Sequence, residues 1–205
     1  MNSLRTTWND LALRYTDNAE FVDKLWVEIE KKYTAKNRYY HNLIHLGYMV
    51  EKAFDYKHRL IDLDTVLFSV FYHDIIYNIQ RQDNEQKSAD TAKERLTALG
   101  VSGKKIANCQ KQILATKNHK HSDDNDTNYF VDFDLAILGE SPETYHDYSN
   151  KIRKEYSLYP DFLYKKGRRK VLQYFLEMDR IFKTDEFNAR YGQRAKENLM
   201  AEFST

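Results

Sequence analysis

Histidine and aspartate recur within apolar segments of this sequence, a pattern that suits a metal site. The first segment is YHNLIH at positions 40–45, where His41 and His45 stand four residues apart. On a helix, residues four apart lie on one face, so the two imidazoles could share a site. Each could equally cap a helix or hydrogen-bond locally, and the spacing alone leaves both interpretations open.

The second segment is FSVFYHDIIY, which contains the adjacent pair His73 and Asp74. An unpaired carboxylate is costly in apolar surroundings, so Asp74 requires a cation, a metal or several hydrogen-bond donors. A metal is the favoured interpretation. The other His-Asp pair, His146 and Asp147, stands in the polar run ETYHDYSN and predicts a solvated helix face.

Two further segments supply additional candidate ligands. Asp132 and Asp134 interrupt the apolar run FVDFDLAIL. On a helix they point in different directions, so we expect one to reach the site and the other to orient a ligand, unless Asp132 caps the helix. His119 ends the run ILATKNH and could be an extra ligand or a phosphate contact, whereas His121 is expected at the surface.

Imidazole and carboxylate ligands without thiolate suit one or two divalent ions of Mn, Mg, Fe, Ni, Co or Zn, with positions left for water. Such an ion acidifies water and polarises a phosphoryl oxygen, so hydrolysis of a small phosphorylated substrate such as a nucleotide is compatible with it, but nothing in the spacing alone identifies the substrate. Lys117, Arg38 and the cluster at 167–170 could neutralise the phosphate, and Arg168 is the favoured member of that cluster.

Composition predicts that helices position these residues. The chain has 205 residues with only six glycines and two prolines. Sheet proteins need Gly and Pro at their many turns, so an all-β fold and a Gly-rich nucleotide-binding fold are excluded. The sequence predicts an all-α fold of eight to ten helices in a single domain over 1–205.

Periodicity and capping residues predict where the helices begin and end. The polar run NHKHSDDNDTN at 118–128 is predicted to be a loop. Helices are predicted from Leu4 to Tyr15, from Asn18, from His41 to Lys57, from Asp62 to Tyr77, over 82–99, from Ser102 to Lys117, from Tyr129 to Leu138, from Ser141, from Pro160 to Lys183, and from Thr184 or Asp185.

Charge and cysteine content narrow the classes of partner. Lys and Arg total 32 and Asp and Glu total 31, so general nucleic-acid binding is not expected. The single Cys109 excludes an intrachain disulfide and fits a reducing compartment. The sequence has no apolar run of membrane-spanning length and no signal-peptide pattern, so a cytoplasmic protein without membrane contact is predicted, and a homo-oligomer is compatible with it.

The order of these residues resembles the HD-domain superfamily of metal-dependent phosphohydrolases. That pattern has a His on one helix, a His-Asp pair on the next and a distant Asp on a later one. The run YHNLIH is also similar to a motif of cyclic nucleotide phosphodiesterases. The resemblance implies that His45, His73, Asp74 and Asp134 are the metal ligands, and that His41 donates a proton to the leaving oxygen.

In that branch the last Asp precedes a Leu and a small residue, which favours Asp134 over Asp132. The branch also carries a further His after the His-Asp pair, whereas residues 75–84 contain none. A second metal would therefore depend on His119 or on bridging by Asp74.

A likeness to a bacterial family of predicted HD-superfamily phosphohydrolases, whose substrates are generally unestablished, covers most of the chain. The likeness implies that Glu85, at the start of a helix, faces the cleft and holds water or substrate. The matching runs are YHNLIHL, FYHDIIY, DNEQKSA, VDFDLAILG, IRKEY and RAKENLMAEF.

Three alternatives stay open from the sequence. Another chemistry of the HD fold, oxygenation or lyase activity, would use a di-iron centre. A non-catalytic sensor would bind a nucleotide on a retained metal site. A helical interaction module with coincidental His and Asp residues would hold no stoichiometric metal.

Overall fold

A computed structural model describes residues 3–204, and these residues form ten α-helices and two short 3-10 helices with no strand among them. The prediction of an all-α fold with eight to ten helices is confirmed. The α-helices are α1 (Leu4–Ala12), α2 (Ala19–Tyr33), α3 (Leu43–Asp55), α4 (Leu63–Tyr72), α5 (Asn84–Ala98), α6 (Gly103–Ala115), α7 (Asn125–Leu135), α8 (Pro142–Glu155), α9 (Asp161–Leu176) and α10 (Asp185–Phe203).

The chain divides into two compact units. Unit 1 comprises the described residues up to Phe130, and unit 2 comprises those from Val131 onward, so the division falls within α7. The single-domain organisation over 1–205 stays a prediction. No helix within the described residues is long and apolar enough to cross a membrane.

In unit 1, helix α4 is the central element, because every side chain from Thr65 to Tyr72 is buried. This apolar segment is therefore buried on most of its circumference. The indole of Trp8 on α1 packs edge-on against Phe71, with ring centroids 5.3 Å apart. Its Nε1 donates to the carbonyl oxygen of Val22 at 3.1 Å, which ties α1 to α2.

In unit 2, a cluster of aromatic side chains forms the centre of the core. The rings of Phe187 and Tyr191 on α10 pack 5.5 Å apart, and Phe133 packs 5.5 Å from Phe187. The 3-10 helix Ala136–Gly139 lies against α10, where a Cβ added at Gly139 would come within 2.5 Å of the Tyr191 Cβ. A glycine is therefore required at that close approach.

Several predicted caps are confirmed. The Asn18 side chain accepts from the Phe21 N–H at 3.0 Å, and Ser141 with Pro142 begins α8. Gly100 follows α5 with a φ of +83°, the left-handed conformation that favours glycine, and Thr184 caps α10.

Two helix boundaries differ from the predictions, and in both regions a carboxylate accepts from backbone N–H groups. The predicted loop 118–128 is shorter, since α7 begins at Asn125, where the Asp124 carboxylate accepts from the Thr127 N–H at 2.8 Å. The long helix predicted to reach Lys183 ends at Leu176. The N–H of Lys183 instead donates to Asp132 at 2.7 Å.

Candidate metal centre

Helix α3 and the turn before it carry the first two histidines. The Asn42 side chain accepts from the Ile44 N–H at 2.8 Å, so the helix begins at Leu43 and not at the predicted His41. His41 therefore lies in the turn and does not share a helical face with His45. The two rings are nevertheless 5.9 Å apart between centroids, so the structure brings them together by another route.

The His73-Asp74 pair marks the end of α4, which closes at Tyr72 and not at the predicted Tyr77. The chain can leave the helix here because side chains from other helices satisfy its backbone. The Asp74 N–H donates to the Tyr33 hydroxyl at 3.1 Å, and the Ile76 N–H donates to the Ser88 hydroxyl at 3.1 Å. Asp74 is thereby held in a turn, beside the last residue of the buried helix.

Three ligand atoms converge where these elements meet. His45 Nε2 and His73 Nε2 are 3.2 Å apart, and His73 Nε2 is 3.2 Å from Asp74 Oδ2. Ligand atoms of all three side chains lie within 4.8 Å of one another. Within residues 3–204 this is the one group of three or more His, Cys, Asp or Glu side chains so arranged.

The backbone of α4 holds a proton on Nδ1 of His73. Its Nδ1 lies 2.9 Å from the Val70 carbonyl oxygen, and because a carbonyl can only accept, Nδ1 carries the proton. In the neutral ring Nε2 is then an acceptor that faces the Asp74 carboxylate oxygen. Two acceptors at this distance repel unless a proton or a metal cation lies between them, and orientation of the ring by a backbone carbonyl is typical of metal-binding histidines.

The donor set fits a divalent ion. The 3.2 Å separation of the two Nε2 atoms is shorter than two metal–nitrogen bonds of about 2.0–2.1 Å, so one ion can contact both nitrogens. Both histidines are buried, and Asp74 is 19% exposed, so the cluster has one solvent-facing side. His45, His73 and Asp74 could therefore hold a metal ion with positions left for water or substrate.

His41 lies at the accessible edge of the cluster. Its Nε2 is 4.0 Å from Asp74 Oδ2, and its side chain is 21% exposed. The ring packs on Tyr77 with centroids 4.4 Å apart. A proton-transfer group in this position can reach a bound molecule without entering the ligand set.

Arg38 has a structural role that the sequence did not indicate. Its guanidinium donates to the carbonyl oxygens of His41 at 3.2 Å and Ile75 at 3.3 Å, and it lies over the Tyr33 ring at 4.8 Å. It is 8% exposed and joins the two turns that carry the candidate site. Its predicted role as a phosphate contact stays a prediction.

Sequence reasoning also missed Tyr33 and Ser88, which support the turn after α4. Their backbone partners lie 41 and 12 residues away along the chain. No local pattern marks such a contact, because a Tyr at the end of one helix and a Ser on the buried face of another are both ordinary at those positions.

Three other predicted residues of unit 1 lie outside the three-residue cluster. Glu85 is in the first turn of α5 and half-buried, and α5 begins at Asn84 after its N-cap Asp83, two residues later than the predicted start at 82. Lys117 donates from Nζ to the Gln82 carbonyl at 3.1 Å. His119 follows α6 with a φ of +49°. Their substrate or ligand roles stay predictions.

In unit 2, Asp132 is fully buried and accepts hydrogen bonds from the N–H and the hydroxyl of Thr184 at 2.8 and 2.7 Å, as well as from Lys183. Burial outweighs these donors and raises its pKa to about 6. Asp134 lies two residues further along α7, and its assignment as the last ligand stays a prediction. Arg168 forms an ion pair with Glu202.

No protein-family model, curated protein or solved structure matches this chain in comparisons with known proteins.

Proposed function

We propose that this chain is a metal-dependent hydrolase of a phosphate ester or anhydride. The observation that carries the proposal is the convergence of His45, His73 and Asp74, with two buried imidazoles and a partly exposed carboxylate. A divalent ion bound by such a set acidifies a water molecule and polarises a phosphoryl oxygen. The resemblance of the motif order to the HD superfamily supports the same reaction class.

The side chains around the cluster divide the remaining tasks. His41 stands 4.0 Å from Asp74 and is partly exposed, so it can donate a proton to the leaving oxygen. The Val70 carbonyl orients the His73 ring, so that its Nε2 faces the cluster. Asp134 is proposed as the fourth protein ligand, and Glu85 as the residue that holds water or substrate at the start of α5.

The identity of the ion and of the substrate belongs to the proposal. Mn, Mg, Fe, Ni, Co and Zn all suit mixed imidazole and carboxylate ligands, as one ion or two. A nucleotide is the proposed substrate class, and a cytoplasmic location and a homo-oligomer are part of the same hypothesis. Membrane attachment and general nucleic-acid binding are not proposed.

The first experiment is metal analysis of protein purified without added metal, followed by a panel of phosphate esters and anhydrides with Mn²⁺. We expect about one equivalent of metal or more, and turnover of at least one substrate. Asp74→Ala should lose both, with its helical circular dichroism unchanged. Asp55→Ala removes an exposed carboxylate at the end of α3 and is the matched control.

Three outcomes would replace the proposal. Ligand binding without turnover would favour a sensor. Oxygen-dependent turnover with two irons would favour an oxygenase of the same fold. Absence of metal, together with an unchanged thermal midpoint after chelation, would favour a helical interaction module.

A further inference from the structure

Unit 2 contains a cavity of about 490 Å³ lined by residues of α8, α9 and α10. Its volume lies within the range of roughly 300–1,000 Å³ typical of small-molecule sites. The lining residues and the metal cluster have no member in common. The cavity is therefore a second candidate site, and its interpretation does not rest on the proposed function.

A held guanidinium is the main charged group of the cavity wall. Arg168 donates from Nε and Nη2 to the two carboxylate oxygens of Glu202 at 2.8 and 2.9 Å. The Tyr145 hydroxyl also donates to Glu202, so residues of three helices meet at this group. The Arg168 side chain is only 10% exposed. A fork-like pair of this kind fixes the direction in which the remaining guanidinium nitrogen points.

Two polar groups of the wall have no hydrogen-bond partner within residues 3–204. Arg168 uses Nε and Nη2 but makes no such bond with Nη1. The buried Tyr164 hydroxyl also has none. Buried polar groups are nearly always hydrogen-bonded in folded proteins, so the buried Tyr164 hydroxyl requires an explanation, whereas Arg168 Nη1 is a donor still available to a ligand. A bound molecule that supplies acceptors is one such explanation.

The charge of the lining favours an anion. The lining contains three basic residues (Lys165, Arg168 and Arg169) and one acid (Glu202), a formal net charge of +2. Clefts of one sign raise the local concentration of molecules of the opposite sign.

The remaining wall is apolar and aromatic. Leu172, Ala201 and Phe203 line the cavity together with the rings of Tyr145 and Tyr164. The Arg169 guanidinium stacks 3.9 Å above the Phe203 ring, which holds that ring at the cavity. Flat apolar groups pack well against such surfaces.

We propose that this cavity binds a small aromatic or heteroaromatic phosphate monoester. The phosphate dianion matches the net charge of the lining and accepts from the open edge of Arg168. The ring of the ligand packs on the tyrosine and leucine side chains.

Isothermal titration of the full chain with phenyl phosphate tests the proposal, in buffer with EDTA so that a metal-dependent site cannot contribute. We expect saturable binding that is about tenfold weaker for phenol and for inorganic phosphate, since each lacks one half of the recognition. Lys165→Gln and Arg169→Gln should each weaken binding about threefold to tenfold. Lys166→Gln removes the same charge from an exposed position of α9 outside the lining and should leave binding unchanged.

Arg168→Lys keeps the charge but removes the fork, and it should abolish detectable binding while thermal unfolding shows whether α8 to α10 stay folded. If this variant unfolds, Lys165→Gln and Arg169→Gln, compared with the control Lys166→Gln, still test the proposal. No binding of phenyl phosphate at millimolar concentration would overturn the proposal. Equal weakening by Lys166→Gln, or equal affinity for phenol, would overturn it as well. None of these results depends on turnover, so they are distinguishable from failure of the proposed hydrolase.

Discussion

At the scale of single residues, His41 and His45 are separated by what surrounds them. His45 is 3% exposed and lies within the cluster, whereas His41 lies at its edge and packs on Tyr77. Two histidines four residues apart thus occupy different environments, because only the second belongs to the helix. The geometry assigns them different chemical capacities, which a pair of variants can separate.

His41→Ala should retain the metal and lower kcat by about 10²–10⁴-fold, the usual contribution of a general acid. Metal content by mass spectrometry and kcat on the best substrate of the phosphate panel are the two measurements. His58→Ala removes an exposed histidine of unit 1 and should change neither. Loss of metal from His41→Ala would show instead that His41 is a ligand.

Asp132 illustrates how a carboxylate in an apolar segment can serve the fold. Its three hydrogen bonds attach α7 to the start of α10, at Lys183 and Thr184. The interpretation that Asp132 caps its own short helix is wrong, because Asp132 lies inside α7 and its donors are Lys183 and Thr184, which directly precede α10.

The raised pKa of Asp132 gives stability a defined pH dependence. Burial raises it to about 6, whereas an unfolded Asp titrates near 3.9. The folded state therefore holds the proton more tightly. The contribution of Asp132 to the free energy of unfolding is therefore fully present below pH 4 and is lost as the pH rises to 6. The total change is on the order of 3 kcal/mol.

Asp132→Asn removes this titration, so the difference in unfolding free energy between wild type and variant should shrink as the pH rises from 4 to 6. Urea unfolding followed by circular dichroism at several pH values measures it. Asp179→Asn, an exposed site of the same unit, controls for the change of charge. A difference that grows with pH would mean that the ionised, three-bonded carboxylate is the stabilising form.

At the scale of helices, the caps decide where the site residues stand. Asn42 caps α3 and also donates from Nδ2 to the Tyr39 carbonyl at 2.8 Å. It stands between the two histidines of the candidate site. Asn18 caps α2 through the same kind of bond and stands far from them along the chain.

Asn42→Ala and Asn18→Ala should therefore each lower the free energy of unfolding by about 1 kcal/mol. Only Asn42→Ala should also weaken metal binding, because it releases the first turn of the helix that carries His45. Urea unfolding and metal titration against a fluorescent chelator provide the comparison. Equal metal affinity in the two variants would show that the cap does not position His45.

Two glycines of unit 2 should respond in opposite directions when they are replaced by alanine. Gly139→Ala would place a Cβ 2.5 Å from the Tyr191 Cβ and 2.6 Å from its carbonyl oxygen, and backbone atoms cannot move aside cheaply. We expect a loss of about 1–3 kcal/mol. Gly167→Ala, within α9 and with nothing inside 4 Å, should add roughly 0.5–1 kcal/mol. Thermal midpoints of the two variants compare them directly, and a stabilising Gly139→Ala would contradict the packing.

The sequence predicts the helices and most of their caps, but not where helices end against distant partners. Scarce Gly and Pro, and the residues Asn18, Ser141 and Thr184, are local signals, and the structure agrees with them. The end of α4 at Tyr72 is different, because Tyr33 and other side chains from remote helices satisfy the backbone there. Helix ends of that kind depend on tertiary contacts that no local pattern contains.

The same limit applies to the candidate site. His45, His73 and Asp74 could be named from their types and apolar surroundings, and the structure brings them together. The two supporting side chains could not, since the sequence predicts a phosphate contact for Arg38 and contains no signal that marks Tyr33 as a support of the turn. A ligand is marked by its chemistry, whereas a supporting residue is marked only by the position it reaches in space.

At the scale of the whole molecule, the two tryptophans offer a selective probe. Trp8 and Trp26 are the only tryptophans of the chain, and both are buried in unit 1. Trp8 packs against α4, the helix that ends at Tyr72, directly before His73. Tryptophan fluorescence therefore follows unit 1, while circular dichroism follows all ten described helices.

Ligands that bind only the folded state stabilise it, by about 2.7 kcal/mol at one hundred times the dissociation constant. Zn²⁺ at that excess should therefore raise the midpoint of urea unfolding seen by tryptophan fluorescence, and EDTA should reverse the shift. Asp74→Asn should lose the shift, because it removes the carboxylate charge from the cluster while keeping its shape.

The unfolding curve measured by circular dichroism then separates two cases. If it coincides with the fluorescence curve, the chain unfolds in one step, as a single domain over 1–205 requires. If the circular-dichroism curve shows a second transition whose midpoint does not move with Zn²⁺ while the fluorescence midpoint does, unit 2 unfolds on its own and the single-domain prediction is wrong. An unchanged fluorescence midpoint at saturating Zn²⁺, with the wild-type chain and no chelator, would instead contradict the metal centre itself.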